Sequence, residues 1–246
     1  MDNKVLLIIP AYNEELNIQK TVEDVKKYTN YDYIIINDSS KDKTKKVCEK
    51  NNYNIINLPI NGGLTSGIQL GLKYAWSNNY DIAIQFDGDG QHKAECVEKL
   101  VETIRQEKAN IVIGSRFITE KKSKSLRMIG SILLTLSILL TTRKKIKDPT
   151  SGMRAFDKKI IEEFVINESL TPEPDTLVYM LKKGYTIKEV AVEMKEREFG
   201  TSYLNSFKAI EYMGNMFFSI FFVRLLTRNR KGKKTHATVE KNIEKY

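Results

Sequence analysis

Residues 82–92 read IAIQFDGDGQH, an apolar, strand-length run that stops at two aspartates one residue apart, Asp87 and Asp89. Two carboxylates that close repel unless a cation lies between them, and hard oxygen ligands suit Mg2+ or Mn2+. Gly88 and Gly90 permit a tight turn with positive φ, so the backbone can approach a ligand closely. Gln91 and His92 follow as further ligand candidates. One rival is an ordinary Asp-Gly turn. A calcium loop is another, with Asp87, Asp89 and Glu98 at its positions 1, 3 and 12, but His92 stands where that loop requires glycine and a strand leads in.

The surrounding chain repeats the strand pattern. Short β-branched runs occupy 5–10, 33–37, 54–58, 82–86 and 110–114, separated by stretches long enough for crossover helices. Leu64, Ile68, Leu72, Ala75 and Trp76 recur at the helical period and predict a helix. Such alternation indicates an α/β fold with a mostly parallel sheet covered on both faces, whose ligands bind at the carboxyl ends of the strands. After Ser115 the pattern changes to a basic apolar excursion over 120–148, the stretch TSGMRAF, helices from about Lys158 and Pro174, and a strand over 185–194. No internal repeat or Pro/Gly/Ser-rich linker divides the chain.

Polar clusters end the first three strands. In PAYNEE, Asn13 can cap a helix beginning at Glu14; in NDSSKDKT, Asp38 or Ser39 can cap another; NGG at 61–63 precedes the striped helix. Their convergence beside the Asp pair raises a nucleotide site. The P-loop pattern is absent, and Gly62, Gly63, Gly67 and Gly71 lack dinucleotide spacing, which disfavours an ATPase or a dehydrogenase.

The 246 residues carry a net charge of +9, unevenly placed. Residues 120–148 and 224–246 each hold a surplus of six positive charges, leaving −3 elsewhere. Each basic region borders an uncharged apolar stretch, 128–142 and 212–223, both shorter than the roughly 20 residues of a spanning helix. That pattern suits helices lying at an anionic membrane surface, against the alternative of core helices with solvated basic flanks. The basic residues do not alternate with aromatic stacking platforms, so a nucleic-acid partner is not expected. Cys48 and Cys96 form neither a disulfide framework nor a zinc motif, and a reducing cytoplasm fits. The N-terminal apolar run reads as a first strand and not as a secretion signal.

Taken together, IIPAYNEELNI (8–18), INDSSKDKT (36–44), NGGLTSGIQLG (61–71), DGDGQH (87–92), IGSRF (113–117), DPTSGMRAF (148–156), PEPD (172–175) and EVAVEMKEREFGTSY (189–203) resemble, in order, inverting GT-A glycosyltransferases of the dolichol-phosphate mannose synthase-like family. The match runs from Val5 to Tyr203 and looks most like bacterial cell-wall polyprenyl-phosphate N-acetylglucosamine synthase-type enzymes. The resemblance implies a Rossmann-like GT-A fold, a nucleotide-diphosphosugar donor, UDP-GlcNAc or UDP-glucose, and Mg2+ or Mn2+. Carried over by position, Pro10, Tyr12, Glu14, Asp38, Gly62 and Gly63 hold the nucleotide, with Asp38 reading the base. Asp87 faces the sugar or ribose, and Asp89 and Gln91, with Asp87, bind the metal. Arg116, Arg127, Ser131 and Arg197 grip the acceptor phosphate. Glu198 and Phe199 stand where relatives have a shorter, more basic approach to Gly200.

The expected organisation is a catalytic domain over 1–205, divided into a nucleotide-sugar half (1–115) and an acceptor half (116–205) with an interfacial segment at 126–142. A membrane-associating helix follows at 206–226 and a basic flexible tail at 227–246. The expected reaction is sugar transfer to a polyprenyl phosphate at the cytoplasmic membrane face for cell-wall or surface glycan synthesis, with a homo-oligomer or a small membrane protein as possible partner. A second reading keeps the donor but extends a polysaccharide at a sugar hydroxyl, which needs a general base, Asp175 first and Asp148 next; Asp175 as a helix cap competes with that role. A third is a non-catalytic membrane-surface binding protein.

Overall fold

The computed structural model describes residues 3–118, 126–195 and 213–222. In chain order these form β1 (Val5–Ala11), α1 (Ile18–Tyr28), β2 (Asp32–Asn37), α2 (Thr44–Lys50), β3 (Ile55–Asn57), α3 (Gly63–Ser77), β4 (Ile82–Gln85), α4 (Val97–Glu107), β5 (Ile111–Ser115), α5 (Leu126–Thr142), β6 (Arg154–Asp157), α6 (Lys158–Ile166), α7 (Pro174–Lys183) and β7 (Ile187–Ala191). The seven strands make one sheet in the order β3-β2-β1-β4-β6-β5-β7. All pairings are parallel except those of β6, which runs antiparallel to both β4 and β5.

All five expected early strands form, and the later one is trimmed to Ile187–Ala191. The strand within TSGMRAF is the unexpected element. RAFD is only four residues long, and its sheet position comes from partners far away in sequence, with Ala155 facing both Ile84 and Val112.

β1 shows why the sheet is doubly covered. Val5, Leu7 and Ile9 join the core on the α1 and α4 side, while Leu6 and Ile8 join that beneath α3, α5, α6 and α7. A strand buried on both faces reads as a continuous apolar run, and each such side chain contributes about 1.5–3 kcal/mol. In α3, Ile68, Leu72 and Ala75 are buried, but the stripe narrows at its ends, where Leu64 and Trp76 are exposed.

Two expected caps are not made. Asn13 adopts a positive φ and its Oδ1 accepts the Lys41 N–H at 2.8 Å, while α1 begins four residues later than Glu14, at Ile18. Neither Asp38 nor Ser39 caps α2; Asp42 accepts the Thr44 N–H at 2.9 Å instead. Both polar clusters are spent on holding loops to one another.

α5 has two faces. Leu134 and Ile138 are fully buried in the core, whereas Ile132, Leu133, Leu136 and Leu140 are exposed. The helical stretch 213–222 behaves similarly: Ile220 is buried, Met213 and Met216 pack on the same core, and Phe218 and Phe222 are exposed. Among the described residues no helix is long and apolar enough to cross a membrane. The remainder of the expected 206–226 helix and the tail lie outside the described residues.

Candidate active site

β1 and β4 are parallel neighbours, and the turns that follow them meet at the carboxyl edge of the sheet, where such sheets bind ligands. Gly88 lies against the end of β1: a Cβ there would fall 2.7 Å from the Pro10 carbonyl oxygen. The Asp-rich turn that follows is supported from beneath. His92 is buried, and its Nδ1 accepts the Asp87 N–H at 2.9 Å, which places the ring proton on Nε2, 3.4 Å from Asp87 Oδ2. His92 is therefore a support for the turn and is not turned outward as a ligand. Asp89 Oδ1 accepts the Gln91 N–H at 3.1 Å. The Gln91 carbonyl accepts from Lys195 N at 2.8 Å and His92 bridges to Met194, which brings the segment after β7 alongside the turn.

Asp87 meets the second half of the molecule here. Gly152 passes so close that a Cβ would sit 2.5 Å from Asp87 Oδ2. Arg116, at the end of β5, is gripped bidentately by Asp148, with Nε to Oδ2 and Nη2 to Oδ1 both at 2.8 Å. Such forks are the strong, geometrically specific form of ion pair. Burial acts to lower the Arg116 pKa, but the hydrogen bond and charge of Asp148, joined by the charge of Asp87, outweigh it and hold the guanidinium above its ordinary value. Glu189 of β7 completes the chain by accepting the Lys147 and Asp148 N–H groups, each at 2.8 Å. Asp148 is fully buried and held on Arg116.

Among the described residues Asp87 Oδ1 is buried without a hydrogen-bond partner, and so are Gln85 Oε1 and Ser115 Oγ, near the same edge of the sheet. An orphaned carboxylate oxygen is costly, and its natural complement is a cation or a donor on a ligand. Among the described residues no group of three or more His, Cys, Asp or Glu is positioned to hold a metal ion by itself. One or two carboxylates do suffice for Mg2+ when substrate phosphates complete the shell, so Asp87, Asp89 and the Gln91 side chain fit a divalent cation shared with a diphosphate.

Among the residues expected to hold the nucleotide, Asp38 is buried and accepts the Gly62 and Gly63 N–H groups at 2.7 and 2.8 Å. It thereby shapes the NGG loop, and those two amides are used internally. Gly63 has φ +80, a conformation that side chains rarely adopt. Glu14 is also buried, its Oε2 accepting the Asn17 Nδ2–H at 2.7 Å. Tyr12 is exposed, and Pro10 lies against the turn after β4, its carbonyl oxygen beside Gly88.

The acceptor residues are less closely gathered. Asp175 lies in the first turn of α7, but Glu173 is the capping position and makes no side-chain cap bond. Asp175 Oδ1 accepts the Thr176 N–H at 2.8 Å, and Oδ2 accepts from Ser219 Oγ of the 213–222 stretch. Ser131 is buried on the inner side of α5. Arg127 belongs to the first turn of α5 and its side chain lies outside the described residues, as does Arg197 entirely. Sequence reasoning missed Gly152 and Arg154. Arg154 is buried and donates from all three nitrogens to the carbonyls of Ser151, Pro172 and Pro149. An arginine inside a strand otherwise facing the core was the available signal.

The chain is similar to known proteins over most of its length. It is 30% identical over 236 residues to the UDP-N-acetylglucosamine–dolichyl-phosphate N-acetylglucosaminyltransferase of Methanococcus voltae, covering 84% of this chain and 93% of that one. It is 25% identical over 216 residues to the undecaprenyl-phosphate mannosyltransferase of Micrococcus luteus, covering 81% and 86%. Its fold is shared with glucosyl-3-phosphoglycerate synthase of Mycobacterium tuberculosis, solved with Mn2+, uridine diphosphate and phosphoglyceric acid, at TM-score 0.61 and 15% identity over 94% of this chain and 80% of that one. Residues 6–165, from β1 through nearly all of α6, match the family described as Glycosyl transferase family 2, and with the Asp87–Asp89 turn seated at the sheet edge, the chain belongs to that family of glycosyltransferases.

Proposed function

We propose that this glycosyltransferase moves a sugar, N-acetylglucosamine or glucose, from its UDP conjugate to a polyprenyl phosphate at the cytoplasmic face of the membrane, for cell-wall or surface glycan synthesis. The observation that carries the donor half is the unpartnered Asp87 Oδ1 at the carboxyl edge, flanked by Asp89 and within the field of Arg116. Asp87, Asp89 and Gln91 would hold a divalent cation, which would supply charge neutralisation at the nucleoside diphosphate. Asp38 and the NGG loop orient the nucleoside, and Gly152 leaves Asp87 free to face the sugar. Arg116, with Arg127 and Arg197, positions the acceptor phosphate for direct displacement with inversion. A phosphomonoester is already largely anionic, with a second pKa near about 6, so positioning replaces deprotonation.

The exposed stripe of α5, ending in Arg143, Lys144 and Lys145, supports attachment to an anionic lipid surface, as do Phe218 and Phe222. A second copy or a small membrane protein would compete with lipid for the same face. The hydroxyl-acceptor reading is less well supported, because both Asp175 oxygens already accept hydrogen bonds.

The test is nucleoside-diphosphate release by purified protein with Mn2+, across UDP- and GDP-sugars, with and without a polyprenyl phosphate in detergent. Release from a UDP-sugar that requires the lipid and stops with EDTA is expected. Release at the same rate without lipid would overturn the acceptor assignment.

A further inference from the structure

Arg154 is buried, and its guanidinium joins two loops that are not paired with each other in the sheet. Its Nε donates to the Ser151 carbonyl at 2.9 Å, Nη2 to Pro149 at 2.7 Å and Nη1 to Pro172 at 2.6 Å. The first two carbonyls belong to the loop that presses Gly152 against Asp87, and the third to the loop that leads into α7 and Asp175. The 148–152 loop is also tied to β5 by Ser151 Oγ on the Gly114 carbonyl, whereas the 171–173 turn, with Glu173 N on the Thr171 carbonyl, meets it through Arg154. From this arrangement we propose that Arg154 is a positioning residue that sets the spacing between the 148–152 loop, at Asp87, and the 172–175 turn that leads into α7. The planar fork matters: three carbonyls in three directions cannot be matched by the single ammonium nitrogen of lysine. This inference rests on the transfer reaction proposed above for its kinetic arm, and on the structure alone for its exchange arm.

The experiment compares wild type with Arg154→Lys and Arg154→Gln in the full chain. Hydrogen exchange is followed at the amides of Thr150, Ser151 and Gly152 and of Thr171, Glu173 and Asp175, and transfer from UDP-N-acetylglucosamine to undecaprenyl phosphate is measured beside donor hydrolysis by water. Exchange is expected to rise in both loops together while the rest of the sheet stays protected. The kcat for transfer should fall on the order of 100-fold with donor KM within about twofold, because misplacement of roughly 1 Å carries such a cost. The hydrolysed share of the donor should rise, since water tolerates a mis-set gap that a lipid phosphate does not. Loss of fold alone would move kcat in proportion to the folded fraction and leave the hydrolysis-to-transfer ratio unchanged. That result, or wild-type exchange in both loops of the Lys variant, overturns the proposal. If wild type transfers to no polyprenyl phosphate, the acceptor reading fails while the exchange arm still decides the role of Arg154.

Discussion

Gly152→Ala separates function from stability in a way the geometry makes quantitative. The added Cβ would lie 2.5 Å from Asp87 Oδ2 and 3.3 Å from both Cγ and Oδ1, whereas ordinary contact begins at 3.4 Å. The carboxylate must therefore move by about 0.9 Å, and being the free end of a rotatable side chain it can do so for an off-rotamer cost of roughly 0.5–1.5 kcal/mol. The fold should survive with a small loss of melting temperature. Activity should not: a displacement near 1 Å at a reacting centre costs on the order of 100-fold, about 2.7 kcal/mol of barrier. The displaced carboxylate would also leave its place beside His92 Nε2. The assay is kcat for nucleoside-diphosphate release beside thermal unfolding. Gly67→Ala serves as control, because its Cβ meets nothing nearer than 3.6 Å and lies within α3, where alanine is favoured by about 1 kcal/mol. A Gly152→Ala enzyme with wild-type kcat would refute the placement of Asp87 at the reacting centre.

Arg116→Ala leaves the buried Asp148 carboxylate without its fork, and a destabilisation of about 3 kcal/mol, read from urea midpoints, should accompany loss of transfer. Asp175→Asn should leave most transfer to a polyprenyl phosphate, whereas Arg127→Ala should abolish it; similar behaviour of the two variants in a lipid-acceptor assay would refute the division of roles. Burial, and next the charge of Glu49, push the Cys48 thiol up to about 11 from 9.0. The unfolded chain then loses that proton first, so stability present below pH 9 declines as pH rises toward 11, by at most about 2–3 kcal/mol. Denaturant titrations at pH 8 to 11 should show this decline in wild type in excess of Cys48→Ala.

The first 115 residues were legible because their signals are local. A continuous apolar run such as VLLIIP reports burial on both faces, and strand-to-turn chemistry such as FDGDG marks the carboxyl edge. Family resemblance rests on the same short motifs, and it placed Asp87, Asp89 and Arg116 where the sheet brings strand ends together. The caps assigned to Asn13 and Asp38 failed for the opposite reason. Both side chains take partners more than 20 residues away, and an Asn or Asp before a helix-like segment looks the same whether it caps or braces.

From the sequence alone came the α/β class, every strand except β6, the metal-suited carboxylate pair and the two apolar segments with basic flanks. Only the tertiary structure decided that β6 inserts antiparallel between β4 and β5, that Asp148 is a buried partner for Arg116, that Gly152 lies against Asp87 and that Arg154 reaches the Pro172 carbonyl. These rest on contacts between residues as far as 75 positions apart, such as Ile82 with Asp157, Gly152 with Asp87 and Arg154 with Pro172. Side-chain periodicity and turn propensity record what a residue does with its neighbours in the chain; a hydrogen bond or a 2.5 Å approach across the sheet edge exists only once the strands are paired.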